Sequence, residues 1–348
     1  MPVYIGVDFH PHQQTVCWCD PTTGELKIQN LFHQTPALKA FYQQMPPAIV
    51  GIEASTNAPW FEALLTDTGH ELRVGNPALI RAKATSRHKS DNRDAELIFD
   101  LLRKEEFPTL WRRDAASSQV LEILKLRLSF VAQRTQLYNR LQALGHAFGL
   151  PKSPMKTLTM QAALKECPAN EAQELHRTQL FTALDNLTGR IQELETWLQA
   201  QAATQAQVQL LQTQVGVGYL TALAVVHGLG DVLRFPKLSK QVAAFVGLEP
   251  LEKSSSTKIK FGGISKKGSW IVRYLLGQAG NIAARYDPFL KSFSKRLGKK
   301  KPKAVVKTAV ARKLVVKLAI MLRDNINAAE FDRRGRTGGN ARSFPGLQ

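Results

Sequence analysis

Apolar residues fall in short runs over the first eighty positions and at helical spacing over most of the rest. Residues 3–7, VYIGV, form a run that closes on Asp8. Segments 13–19, QQTVCWC, and 24–32, GELKIQNLF, are two further strand candidates, with DPTTG as the turn between them. Thr35 followed by Pro36 predicts a helix start with proline at its first position. AIVGIEAS, 48–55, reads as a buried strand that delivers Glu53 near its end. A helix over about 58–69 stops at Gly69, HELRVGN at 70–76 is a fifth strand, and a helix follows over about 91–106.

Beyond residue 112 the period changes. Leu121, Leu124, Leu128, Val131, Leu137, Leu141 and Leu144 predict one long helix over 117–150. Leu180, Leu184, Leu187, Ile191, Leu194 and Leu198 predict another within 170–212, and GLPKSPMK breaks the pattern between them. Two long helices around a break predict an antiparallel coiled-coil arm over 113–212 that serves dimerisation, or else a plain helical subdomain. The turn VGVG at 215–218 resembles a helix-hairpin-helix turn, whose N–H groups hold a phosphate; an ordinary turn is the other reading. KQVAAFVGLEP predicts a helix ending at Gly247, and 251–270 is polar, basic and glycine-bearing. Helices follow over about 269–285 and around Val306, Val310, Leu314 and Leu318, with the basic segment KRLGKKKPK before the last. The division is then 1–112, 113–212, 213–328 and a disordered tail over 329–348.

Charge sharpens this division. The net charge is +19, yet residues 1–110 hold 10 Lys+Arg against 13 Asp+Glu, leaving 37 against 15 for the rest. A basic region beside a near-neutral one points to nucleic acid, because neutralised phosphates release counterions. Aromatic residues are 8% of the chain, so base stacking is not an obvious mode. Cys17, Cys19 and Cys167 are too few for a disulfide framework and lack zinc spacing. The N-terminal MPVYIGVDFH lacks signal-peptide character, and no 18-residue apolar run exists. The expectation is a cytoplasmic protein, with no membrane partner, that acts at the nucleoid.

Four acids carry the chemistry. Asp8 and Glu53 close apolar strands, where a carboxylate is costly unless paired or metal-bound. In SDNRDAE, Asp91 and Asp94 stand one helical turn apart. They read as half of a metal site, or as N-cap and N3 of a capping box, and the two roles are compatible. Four such carboxylates suit two divalent cations that clamp the attacking and leaving oxygens of a phosphodiester, with Mg2+ first and Mn2+ as substitute.

Three consecutive strands followed by alternating helices and strands is the order of an RNase H-like domain. YIGVDFH, GIEAS, NPALIRAKATSRHKSDNRDA, FVGLEP and SSSTKIKFGGISKKGSWIVRYLL, as an ordered set over about residues 3–325, resemble the serine-dependent DEDD transposases of bacterial insertion sequences and the related Piv-type DNA invertases. The resemblance implies an α/β RNase H-like (RuvC-like) N-terminal domain with Asp8, Glu53, Asp91 and Asp94 as catalytic metal ligands, and a mainly α C-terminal transposase domain. It also implies a nucleophilic serine shortly after GLEP. The family shows serine then glycine there, whereas this chain has SSS. Spacing from GLEP favours Ser255, with Ser254 and Ser256 as alternative registers.

The expected reaction cuts and rejoins donor and target DNA through a covalent phosphoserine. A serine hydroxyl needs activation, and the 251–270 stretch contains no histidine. Lys253, Lys258, Lys260, Lys266, Lys267 and Arg273 surround the serines and are expected to hold scissile phosphate. Lys299, Lys300, Lys301 and Lys303 are expected to track a backbone without reading sequence. No helix-turn-helix or zinc finger is evident. The family implies that an element-encoded bridge RNA reads sequence instead, in a homo-oligomer, dimer or tetramer. The competing readings are a RuvC-like junction nuclease without serine chemistry and a non-catalytic nucleic-acid-binding protein.

Overall fold

The computed structural model describes residues 3–20, 22–54, 59–84, 90–252 and 261–337. They belong to two compact units, residues 1–112 and 113–348.

The first unit is a mixed α/β layer structure. Its strands are β1 (Val3–Phe9), β2 (Gln13–Cys19), β3 (Leu26–Phe32), β4 (Ala48–Glu53) and β5 (Glu71–Gly75), in spatial order β3-β2-β1-β4-β5. β1 pairs antiparallel with β2 and parallel with β4. Alternation along the strands divides the two faces. Ile5, Val7, Val50 and Ile52 pack with Phe61 and Leu65 of α2 (Pro59–Asp67) and with Leu38 and Tyr42 of α1 (Pro36–Gln44). The other face receives α4 (Asp91–Arg103), and α3 (Pro77–Ala82) lies between β5 and α4 in sequence.

Two glycines set the distance between α4 and the sheet. A Cβ built on Gly6 would stand 2.2 Å from the Ala95 carbonyl and 2.3 Å from the Phe99 nitrogen. One built on Gly51 would meet Leu102 at 2.7 Å. Only bare backbone lets the helix lie this close to β1 and β4. Cys17 faces the same layer and is buried with Ala95 and Phe99.

The second unit is helical. Its long pair is α5 (Ala115–Ala147) and α7 (Glu171–Ala203), each 33 residues or about 50 Å. They run antiparallel, because Arg127 Nε donates to Glu195 at 2.9 Å and Leu141 packs with Leu184. One end is closed by α6 (Leu158–Glu166), a helix that the apolar spacing does not predict, through Met155, Met160 and Leu164. Arg177 fastens it by donating to the Leu164 and Cys167 carbonyls, both at 2.7 Å.

At the other end, Val120, Leu121, Leu124, Leu198 and Ala202 enter the main core. That core draws on α8 (Ala206–Gln212), α9 (Tyr219–Leu229), α10 (Leu238–Phe245), α11 (Trp270–Tyr286), α12 (Pro288–Gly298), α13 (Lys303–Asp324) and α14 (Ala328–Thr337). A small hairpin, β6 (Pro250–Glu252) and β7 (Phe261–Ile264), joins α10 to α11. The 215–218 turn lies with Gly216 against the Ala279 and Ala283 backbone of α11.

The tail expected from residue 329 is helix as far as 337. Phe331 is buried in the core, Asp332 reaches Lys317 at 2.7 Å, and Glu330 pairs with Arg333 and Arg334. Residues 338–348 lie outside the described residues. No helix among the described residues is long and apolar enough to cross a membrane.

Candidate functional site

Strand register brings the first two acids together. Val7 of β1 stands beside Ile52 of the parallel β4, so Asp8 and Glu53 are the next pair along. Asp8 lies two residues after Gly6, and Glu53 two after Gly51, so both carboxylates leave the sheet on the α4 side. Ala95 crosses over Gly6, which sets Asp91 and Asp94, in the first turn of α4, above the end of β1.

Asp91 and Asp94 do not cap this helix. The N-cap is Ser90, whose hydroxyl accepts from the Arg93 N–H at 3.4 Å, and Asp91 is the first helical residue. The capping-box expectation therefore fails: the cap stands one position earlier, and its N3 residue, Arg93, has no acceptor to complete a box. Neither carboxylate is committed to the helix end, and their charge near its N-terminus remains favourable.

His10 completes the arrangement. Its Nε2 lies 3.1 Å from Asp8 Oδ2 and 3.6 Å from Asp91 Oδ2. The three ligand atoms of Asp8, His10 and Asp91 all lie within 4.8 Å of one another. Sequence reasoning passed over His10. The available signal was its i, i+2 spacing from Asp8, which aims both side chains to one face.

The Asp8 carboxyl is raised above its ordinary value, first by burial and then by Asp94 and Asp91, with His10 opposing. Crowded acids with an imidazole between them form a donor set that a divalent cation would neutralise. Glu53 faces Arg81 at 3.5 Å. The structure thus groups Asp8, His10 and Asp91, sets Asp94 close enough to act on Asp8 through charge, and gives Glu53 a guanidinium neighbour.

In the second unit, the serine-bearing stretch has both ends fixed. The ends are GLEP (247–250) and SKKG (265–268), and they meet backbone to backbone. Gly247 has φ +73°, and a Cβ there would lie 2.0 Å from the Lys267 carbonyl. Gly268 has φ +74°, and a Cβ there would lie 2.0 Å from the Phe245 carbonyl. Main-chain hydrogen bonds from Lys266 to Gly247 and from Ser265 to Glu249 close the contact. Arg273 Nη1 staples it, donating to the carbonyls of Val246, Lys267 and Gly268 at 3.0, 2.7 and 3.1 Å. Ser254, Ser255, Ser256, Lys253, Lys258 and Lys260 lie outside the described residues.

Two comparisons bear on this geometry. Residues 5–145, which contain all four acids, match the model of the IS110 DEDD transposases, and residues 208–295, which contain the clasped hairpin, match the transposase IS116/IS110/IS902 family. The chain belongs to the IS110/IS116/IS902 transposase family.

Similar proteins are transposases too. The "Probable family 20 transposase" of Pseudomonas aeruginosa is 28% identical over 286 residues, 80% of each chain. The transposase for insertion sequence element IS1111A of Coxiella burnetii is 31% identical over 204 residues, 57% of this chain and 56% of its own. That for IS1328 of Yersinia enterocolitica is 26% identical over 287 residues, 80% of this chain and 83% of its own.

The remaining expected cations of this transposase have different surroundings. Lys266 and Lys267 are exposed on the clasp, and Lys266 holds a left-handed backbone with φ 55°. Lys299, Lys300 and Lys301 form the exposed turn between α12 and α13, and Lys303 opens α13. Arg273 differs from them, since its Nη1 is spent on three carbonyls.

Proposed function

We propose that this transposase cuts and rejoins DNA at its insertion sequence through a covalent phosphoserine, with Ser255 as nucleophile and Ser254 or Ser256 as the alternative registers. In this reading the first unit is an RNase H-like domain whose Asp8, Glu53, Asp91 and Asp94 hold Mg2+, with Mn2+ as substitute. The observation that carries the proposal is the convergence of Asp8 and Asp91, from a strand and a distant helix, on one point beside His10. A divalent cation bound there would supply charge neutralisation at a phosphodiester. His10 Nε2 hydrogen-bonds to Asp8; without its proton the same nitrogen would be a metal donor that helps Mn2+ stand in for Mg2+.

The serine step is a transesterification. The serine Oγ–P bond forms as the bond from phosphorus to a deoxyribose oxygen breaks, and that oxygen leaves with a proton. Reversal onto a second strand end rejoins DNA without ATP. Lys266 and Lys267 flank the hairpin and attract the phosphate, and Lys299, Lys300, Lys301 and Lys303 follow the backbone. Sequence choice falls to an element-encoded bridge RNA, because the basic surface offers charge without a base-reading motif. The active form is a homo-oligomer, dimer or tetramer.

The deciding test is covalent trapping. Full-length protein, co-purified RNA and Mg2+ are incubated with labelled DNA spanning the element junction, then denatured. A protein–DNA adduct lost only in Ser255→Ala is expected. Loss in Ser254→Ala or Ser256→Ala moves the register. Cleaved DNA without an adduct in any sample supports the junction-nuclease reading.

A further inference from the structure

Beside the clasp, the second unit carries a groove of about 380 Å3 between α11, α13 and the hairpin. Its rim holds Trp270 and Tyr274, one helical turn apart on α11 and 51% and 47% exposed. Lys266 and Lys307 stand at its edges, and among the described residues no carboxylate contributes to its lining. Large aromatic side chains half in water cost free energy unless something covers them. Two of them beside two lysines match a nucleotide, with a flat π-face and an anion. The floor is kept open by Gly277, where an added Cβ would meet only the tip of Lys307, at 3.5 Å.

We infer that this groove receives one unpaired nucleotide of a DNA strand, its base stacked on Trp270 or Tyr274 and its phosphate held by Lys266 and Lys307. Arg273 forms the wall and not the anion receptor, because its Nη1 already serves three carbonyls. DNA is the occupant because the groove is lined by Leu248, just before β6, and Ile264, the last residue of β7, at the base of the hairpin that carries the proposed strand-joining serine. The inference therefore rests on the proposed function for its placement, while the groove's chemistry stands apart from it. A base drawn out of the duplex here would hold the cut strand end in register, although the 8% aromatic content argued against stacking as a general mode.

The test uses the full chain and single-stranded DNA carrying 5-iododeoxyuridine, which cross-links to aromatic rings on irradiation. The adduct is mapped by mass spectrometry. The expected result is cross-linking at Trp270 or Tyr274, with affinity falling roughly ten-fold in Trp270→Ala and largely retained in Trp270→Phe. Gly277→Leu fills the groove without removing a charge and should give the same loss. Cross-links elsewhere, unchanged binding of Gly277→Leu, equal binding of an abasic strand, or tighter binding of the matching RNA would each overturn it. Ser255→Ala should keep the cross-link while losing the covalent adduct. A cross-link without an adduct in any serine background would sink the phosphoserine reading and leave the groove standing.

Discussion

The two units use their acids in opposite ways. In the first, Asp8 at a strand end and Asp91 at a helix start meet beside His10, Asp94 acts on Asp8 through charge, and Glu53 at a second strand end faces Arg81. In the second, acids are spent on structure. Asp114 and Asp231 cap helical turns, Glu195 pairs with Arg127, and Asp287 is buried with Lys317. The lysines around the clasp and the 299–303 turn are therefore left to face solvent. One unit brings acids close enough to raise the Asp8 carboxyl, and the other pairs or caps with several of its acids while leaving lysines exposed. Net charge alone hides this division of labour.

The largest effect that would break the comparison is in the acid cluster. Asp8→Asn and Asp91→Asn should each lower junction cleavage by about a thousand-fold, if a cation contributes several kcal/mol there. Circular dichroism should show the fold unchanged. His10→Ala should cost less and lower activity with Mn2+ more than activity with Mg2+. An unchanged metal preference would remove His10 from the site.

Next comes the buried acid of the helical unit. Asp287 accepts from the Leu290 N–H at 2.9 Å, from Gln214 at 2.9 Å and from Lys317 at 3.1 Å. Lys317→Met leaves this carboxylate buried without its cation and should cost about 3–5 kcal/mol in urea unfolding, much of it restored by adding Asp287→Asn. Burial alone would raise the Asp287 carboxyl, and the hydrogen bonds and Lys317 outweigh it, so the folded value is lowered. Its contribution is present above the unfolded value of about 3.9 and is lost as pH falls through the lower folded value. Urea midpoints measured on acidification should show that loss in the wild type and lack it in Asp287→Asn.

A smaller effect is expected at Gly6. Gly6→Ala forces α4 off the sheet and should cost about 1–3 kcal/mol. Hydrogen exchange should quicken in α4 and stay unchanged in α11 and α13. Smallest of all, each of Lys299→Ala, Lys300→Ala and Lys301→Ala should reduce the salt slope of duplex binding by about 0.9 for every phosphate that the lysine neutralises. An unchanged slope in all three would mean that the turn does not meet DNA.

Much of the first unit was legible because its strands are short apolar runs bounded by turn residues. β2 matches its expected bounds, and Pro36 marks α1 correctly. The short helices α3 and α12 were missed for a shared reason. At Asn76-Pro77 and Asp287-Pro288 the Asx side chain caps a helix and proline occupies its first position, a start signal that apolar spacing alone does not give. The acids were visible as strand ends and a helix start. His10 was not, because a lone histidine after a strand has no pattern of its own. Arg273 looked like a phosphate ligand because its neighbours are cationic. Only the tertiary approach of 246 and 267–268 shows that it holds main chain.

The packing of Gly247 against Lys267 and of Gly268 against Phe245 has a bearing on engineering. The hairpin is tied at its base by backbone and by one arginine, and every partner in that tie lies within residues 245–249 and 265–273. Because the tie lies outside residues 253–260, a Ser-Gly pair in place of two of the three serines should leave it intact, and the melting temperature of the variant checks this.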